Sequence, residues 1–304
     1  MHMSDALLSP AVGGAFWAAS AGLIGYSARK IAAGADGSKT VIMGVLGAFV
    51  FAAQMINFAI PGTGSSGHIG GGLLLAVLLG PSRGFVTLSS VLVIQALFFA
   101  DGGLLALGCN IFNMAFFPAF VARPFIYGPV AGNGASPGRL AAGSILAATA
   151  GLVAGALSVV VETAASGVSD LPFGTFALFM LPIHLAIGIV EGVLTWGVLS
   201  FVRKTEPALL PTGNGTAGSA GRPIAATLLA AAVVVAGILP ELSSAKPDGL
   251  EWSVLKVTGK TAQQQQPSET ASSATGILGS MMVFIAAGSA GLLLRKRADK
   301  PATG

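Results

Sequence analysis

Long apolar stretches recur along this chain, at about 11–32, 40–60, 82–99, 103–122, 140–162, 173–202, 222–240 and 275–294. A shorter one, HIGGGLLLAVLLG, occupies 68–80. A helix needs roughly 20 apolar residues to cross the hydrocarbon layer, and fewer where a bundle buries it. Only 9% of the 304 residues are charged, against about 25% in a soluble domain, and the mean hydropathy is +0.80. The pattern predicts an all-α integral membrane protein of about nine transmembrane segments. The 68–80 segment is read as a short helix whose start sits below the membrane surface. Glycine is abundant, and Gly14, Ala18 and Gly22 recur at four-residue spacing in the first stretch. Small residues at that spacing let helices approach closely, either within the chain or against a partner.

The basic residues fix an orientation. With nine crossings and the N-terminus outside, every Lys and Arg except Lys246, Lys256 and Lys260 falls on the inner side. Short loops rich in Lys and Arg stay cytoplasmic. The asymmetry disappears if the 68–80 segment does not cross, so charge and span count support each other. The expected topology is N-terminus extracytoplasmic and C-terminus cytoplasmic. The net charge of +4 is scattered between apolar runs, which does not suit a nucleic-acid surface. Nothing at the start resembles a cleaved signal peptide, so MHMSD is expected to remain on the extracytoplasmic side. The single cysteine, Cys109, allows no intrachain disulfide and reads as a small core residue.

One linker interrupts the pattern. TEPALLPTGNGTAGSAG is rich in Pro, Gly, Ser and Thr and reads as a flexible cytoplasmic connector. It divides the chain into a transmembrane unit at 1–204, a linker at 205–221 and a two-span unit at 222–304. The outside loop of the second unit ends in a polar run, TAQQQQPSETASS, which reads as disordered.

Polar groups at membrane depth are where function is sought. His2 stands one residue from the amino terminus. The amine of Met1, the His2 amide and the His2 imidazole Nδ1 close a five- and a six-membered chelate ring around one metal. Three nitrogens then lie near one plane, an arrangement suited to Ni(II), Cu(II) and in some cases Co(II). The histidine at position 2 is too large for ready removal of Met1. His68 lies in IPGTGSSGHIGGG, whose irregular backbone is tolerated at membrane depth only inside protein or along a cavity. It reads either as a fourth nitrogen ligand or as a cap for the following helix. Asn57 and Ser66 stand close to it in sequence. His184 and Glu191, seven apart in LPIHLAIGIVEGVLTW, share a helix face. They read either as a buried polar pair or as a cation relay. Gln95, Asn110 and Asn113 are expected to hydrogen-bond between helices. No GxxxxGK[ST], CxxC or HExxH occurs, so these common nucleotide-binding, redox and metalloprotease motifs are missing.

MHMSDALLSP, GTGSSGHIGGGLLLAVLLGP, VLVIQALFFADGGLLALGCNIFNMAFFPAF and IHLAIGIVEGVLTW together resemble the CbiM/NikM family. These are the substrate-capture components of energy-coupling-factor transporters for cobalt and nickel. The likeness covers roughly residues 1–202. After the linker, LPELSSAKPDGLEWSV resembles the PDGLE segment of the two-span partner, CbiN or NikN, fused here in frame. The resemblance implies a metal site built from Met1, His2 and His68, with Ni(II) or Co(II) as cargo and no organic cofactor. It implies a transmembrane coupling subunit and cytoplasmic ATPases as partners, within the bilayer of a bacterial cytoplasmic membrane. It places the PDGLE loop over the pocket, where Asp248 and Glu251 either cap a helix or touch the metal in transit. The family start often reads MHIPDGFL. Met3 departs from it and either packs or offers a soft axial sulfur. Two other classes stand beside this reading. One is a stand-alone proton-coupled transporter using His184 and Glu191, the other a membrane metalloenzyme.

Overall fold

In a computed structural model of the protein, the described residues are 2–34, 38–132, 135–205, 207, 210, 221–238, 243–259 and 273–298. Most of the 205–221 linker, the polar run after residue 259 and Met1 lie outside them. The first unit comprises α1 (Pro10–Ala33), α2 (Ser38–Gln54), α3 (Gly72–Leu79), α4 (Pro81–Phe98), α5 (Leu107–Ile111), a π-helix (Phe112–Tyr127), α6 (Gly128–Ala131), α7 (Pro137–Ser166) and α8 (Phe173–Thr205). The second comprises α9 (Gly221–Ile238), α10 (Gly249–Thr258) and α11 (Ser273–Ala298). Helix starts follow local chemistry. Ser9 and Ser136 accept hydrogen bonds from Val12 and Arg139 amides, each with proline in the first turn, where a missing N–H costs nothing. From Phe112 the helix widens. Pro118 and Pro124 inside it cannot donate to the preceding turn, which favours the wider hydrogen-bond spacing.

Among the described residues, five helical stretches are long and apolar enough to cross a membrane: Pro81–Phe98, Leu107–Ala131, Pro137–Ser166, Phe173–Thr205 and Thr275–Leu294. Ile42–Gln54 and Ala226–Gly237 are shorter apolar helices. α1 has the length to cross, about 36 Å, but its many small and polar residues lower its hydropathy.

The 68–80 segment decides where the site sits. Only Gly72–Leu79 is helical, all eight residues buried. Eight residues rise about 12 Å, less than half of a roughly 30 Å hydrocarbon core. One end of α3, at Gly80, borders the same cavity as Tyr26, Lys30 and Ile31 at the end of α1. The other end follows the loop that carries His68. Residues 55–71 fold down into the bundle to reach it, through a two-residue antiparallel ladder pairing Phe58 with Gly67 and Ala59 with Ser66.

The second unit packs onto the first through small residues. A Cβ on Gly44 of α2 would stand 2.7 Å from the Phe284 carbonyl oxygen of α11. The two backbones approach closely only because that side chain is absent. α7 and α8 meet in the same way, with Gly188 against the Thr149 backbone.

Candidate metal centre

Residues 2–8 lead into α1 as a short arm with its own anchors. The Met3 N–H donates to Asn110 Oδ1 at 2.8 Å, and Asn110 Nδ2 donates back to the Met3 carbonyl at 3.2 Å. That carbonyl also accepts from the Gly103 amide at 2.9 Å. One asparagine thus holds both polar groups of the Met3 backbone. The Met3 side chain is fully buried, with its sulfur 3.8 Å from Asn113 Nδ2, so it packs into the bundle. Asp5 accepts from the Ala106 amide at 3.0 Å, tying the arm to the chain between α4 and α5.

The loop carrying His68 is clamped from three helices. Gln54 Nε2 donates to the Gly70 carbonyl at 2.7 Å, and Gln95 Nε2 donates to Gln54 Oε1 at 2.8 Å. Glu191 receives the Gly70 and Gly71 amides on its two carboxylate oxygens, at 2.7 and 3.1 Å. Gly71 has φ +72°, and a Cβ there would collide with Val50, so glycine is required on both counts.

These two supports bring His2 and His68 together. Their rings stack with centroids 5.1 Å apart and planes 13° from parallel. His68 Nδ1 lies 3.1 Å from the Ile69 carbonyl. A carbonyl only accepts, so Nδ1 carries the proton and Nε2 the lone pair. His2 Nδ1 lies 3.1 Å from Asp101 Oδ1, and His2 Nε2 is buried with no partner among the described residues. Partial burial alone would raise the Asp101 carboxyl. The charge and hydrogen bond of His2 outweigh it and hold the group at about 2, so it stays ionised at neutral pH. Among the described residues no three His, Cys, Asp or Glu side chains are grouped to hold a metal ion, so the two imidazoles need nitrogen donors from elsewhere. Chelation through His2 Nδ1 has to displace Asp101 and turn the ring.

The second unit covers this arrangement. The Ser66 amide donates to the Pro247 carbonyl at 2.8 Å, and Ser66 Oγ to the Lys246 carbonyl at 2.7 Å. The Asn57 amide donates to Ser243 Oγ at 2.8 Å, and its carbonyl accepts from the Ser244 amide at 2.7 Å. Trp252 Nε1 donates to the Thr63 carbonyl at 3.0 Å. Asp248 and Glu251 form a reciprocal cap at the start of α10, at 2.8 and 3.2 Å, the capping role weighed for them from sequence.

The expected residues thus separate into groups. His2 and His68 meet, while Met1 lies outside the described residues. Asn57 and Ser66 hold the second unit's loop and make no described contact with the His68 ring. His184 and Glu191 do not pair with each other, which corrects the picture of a buried polar pair. His184 Nδ1 bonds the Met180 carbonyl at 2.8 Å, and Glu191 serves the His68 loop. The interhelical bonds expected of Gln95 and Asn113 are present, Asn113 donating to Glu162 at 2.8 Å. Sequence reading passed over Asp101. Its signal was available, because it is the only acidic residue between Asp36 and Glu162.

The family described as "Cobalt uptake substrate-specific transmembrane region" matches residues 2–209, and the PDGLE domain matches residues 222–275. The chain belongs to the first of these families. It carries a CbiM-type unit joined to a PDGLE unit, as in fused relatives. It is 36% identical over 215 residues to a putative fused nickel transport protein NikMN of Archaeoglobus fulgidus, covering 69% of this chain and 68% of that protein. It is 33% identical to a probable fused nickel transport protein LarMN of Lactiplantibacillus plantarum, covering 87% of this chain and 81% of that protein. A crystal structure titled as a truncated transition metal transporter superposes on it with a TM-score of 0.59 at 30% identity, covering 67% of this chain and 99% of that one. Like its family, this chain is a transporter component rather than an enzyme.

Proposed function

We propose that this chain captures Ni(II) or Co(II) on the extracytoplasmic side of a bacterial cytoplasmic membrane, as the substrate-specific component of an ATP-driven uptake transporter. The ligands are the Met1 amine, the His2 amide and imidazole, and His68, in a planar four-nitrogen set. ATP hydrolysis takes place in separate subunits, joined through a transmembrane coupling protein. Residues 1–204 form the capture unit, 205–221 a cytoplasmic linker and 222–304 the partner-like unit. The chain crosses nine times with its N-terminus outside. The relatives that share the fused arrangement carry nickel in their names, which favours nickel as cargo. The observation that carries the reading is the stacking of His2 on His68 at 5.1 Å, each ring delivered by its own buried clamp. The proton-coupled alternative loses support because Glu191 already holds two backbone amides.

The test is a formyl group kept on Met1. It blocks the amine as a ligand while leaving every other group in place. The unmodified chain should take up one nickel as a yellow, diamagnetic species. The formylated chain and His68→Ala should lose that species. Full-strength planar nickel in the formylated chain excludes this ligand set.

A further inference from the structure

His184 lies mid-way along α8, 1% exposed, and the proposed capture site does not use it. Its Nδ1 faces the Met180 carbonyl at 2.8 Å. Because that partner only accepts, the proton sits on Nδ1 and the lone pair on Nε2. His184 Nε2 is buried with no partner among the described residues. An unmet polar nitrogen deep in a membrane bundle is costly, and a ligand at Nε2 would relieve that cost.

The same tautomer recurs at His68, whose Nδ1–H is held by the Ile69 carbonyl at 3.1 Å. A ring nitrogen tied to a backbone carbonyl, with the other left as a lone pair, is the usual arrangement of a metal-binding histidine. Both rings line one cavity, together with Met114, Asp248, Gly67 and Gly249. Its free volume of about 10 Å³ matches one water-sized occupant. Gly249 closes it from the second unit. A Cβ there would stand 3.0 Å from His184 Cε1, so only glycine lets α10 seat on that ring. The Asp248 carboxylate supplies negative charge at the wall. No three His, Cys, Asp or Glu side chains converge to ligating distance among the described residues. The cavity therefore offers two imidazoles to a single occupant.

We infer that His184 is an inner metal station, which takes a divalent transition-metal ion from the capture site by sharing it with His68 before onward transfer. The inference rests on the capture reading and extends it inward. Two-imidazole binding is weaker than the four-nitrogen claw, as a transit site must be if the ion is to leave it.

The experiment uses the full chain that keeps a formyl group on Met1, titrated with Co(II) and Ni(II) and followed by calorimetry and the Co(II) visible spectrum. A weak site of one ion per chain, with nitrogen ligation, should remain. His184→Gln in the formylated chain should remove it. In the chain with a free Met1 amine, His184→Gln should leave the yellow nickel species intact and slow metal uptake by the assembled transporter. The station is overturned if the formylated chain binds no metal, if His184→Gln leaves the residual site unchanged, or if His184→Gln destroys the planar species. Full-strength planar binding in the formylated chain overturns the capture reading, and the station with it.

Discussion

Asn110 shows how a single side chain can prepare a backbone ligand. The capture reading asks the His2 amide to lose its proton and bind metal, which requires the chain around it to be held still. Asn110 does this by satisfying both the N–H and the C=O of Met3. Asn110→Ala strands the Met3 N–H, at about 1–3 kcal/mol, while the Met3 carbonyl keeps the Gly103 amide. We expect nickel affinity to fall by about tenfold or more in calorimetry, with the protein still folded. Asp101 acts on the other side of His2. Held at about 2, its carboxylate neither gains nor loses a proton near neutral pH. The pH dependence of metal binding there belongs to the nitrogens, which must shed protons to bind. Affinity should therefore rise as pH increases toward about 8, the range where an α-amine titrates. Proton release measured in buffers of different ionisation enthalpy checks this, and a flat affinity across the range would contradict it.

At the scale of elements, the His68 loop owes its position to α8. Glu191 receives two consecutive amides, Gly70 and Gly71, at the start of α3, and those N–H groups have no turn of helix before them to bond. Glu191→Ala strands both, at about 1–3 kcal/mol each. It should lower the melting temperature and weaken nickel binding together. Glu191→Gln keeps one carbonyl acceptor and should fall between Ala and the unaltered protein on both measures. The reverse order would remove the clamp from the account. α3 itself tolerates little change at its start. A Cβ on Gly72 would stand 2.8 Å from the Met114 carbonyl oxygen, so Gly72→Ala should destabilise the loop without touching a ligand.

Across the whole molecule, the fused unit works as a cover. Its extended stretch and α10 bond the backbone of residues 57–66 at Asn57, Thr63 and Ser66, and Trp252 also packs edge-on against Phe179 at 5.7 Å. Trp252→Ala removes the indole bond and that contact without altering a proposed ligand. Hydrogen exchange of residues 57–67 should speed up, because a less tightly held cover opens more often. Nickel loading should change in rate more than in equilibrium affinity. Protection of 57–67 identical to that of the unaltered protein would show that the second unit does not hold the loop through this residue.

Much of this organisation can be read from local sequence. Runs of apolar residues specify helices wherever lipid cannot satisfy a peptide group, and serine–proline or glycine punctuation marks where α1, α7 and α10 begin and end. The chelate proposed at His2 can be read there too, since such a ring depends only on covalent neighbours. It carried the PDGLE cap as well, because Asp248 and Glu251 are three residues apart on one turn. Other features are decided by contacts between residues far apart in the chain. That Glu191 serves Gly70 rather than His184, that Asp101 faces His2, and that Asn57 and Ser66 hold the second unit are facts of tertiary packing. A buried carboxylate or asparagine bonds whichever donors the fold brings near. Periodicity gives the helix face it occupies, and only the assembled bundle gives the partner.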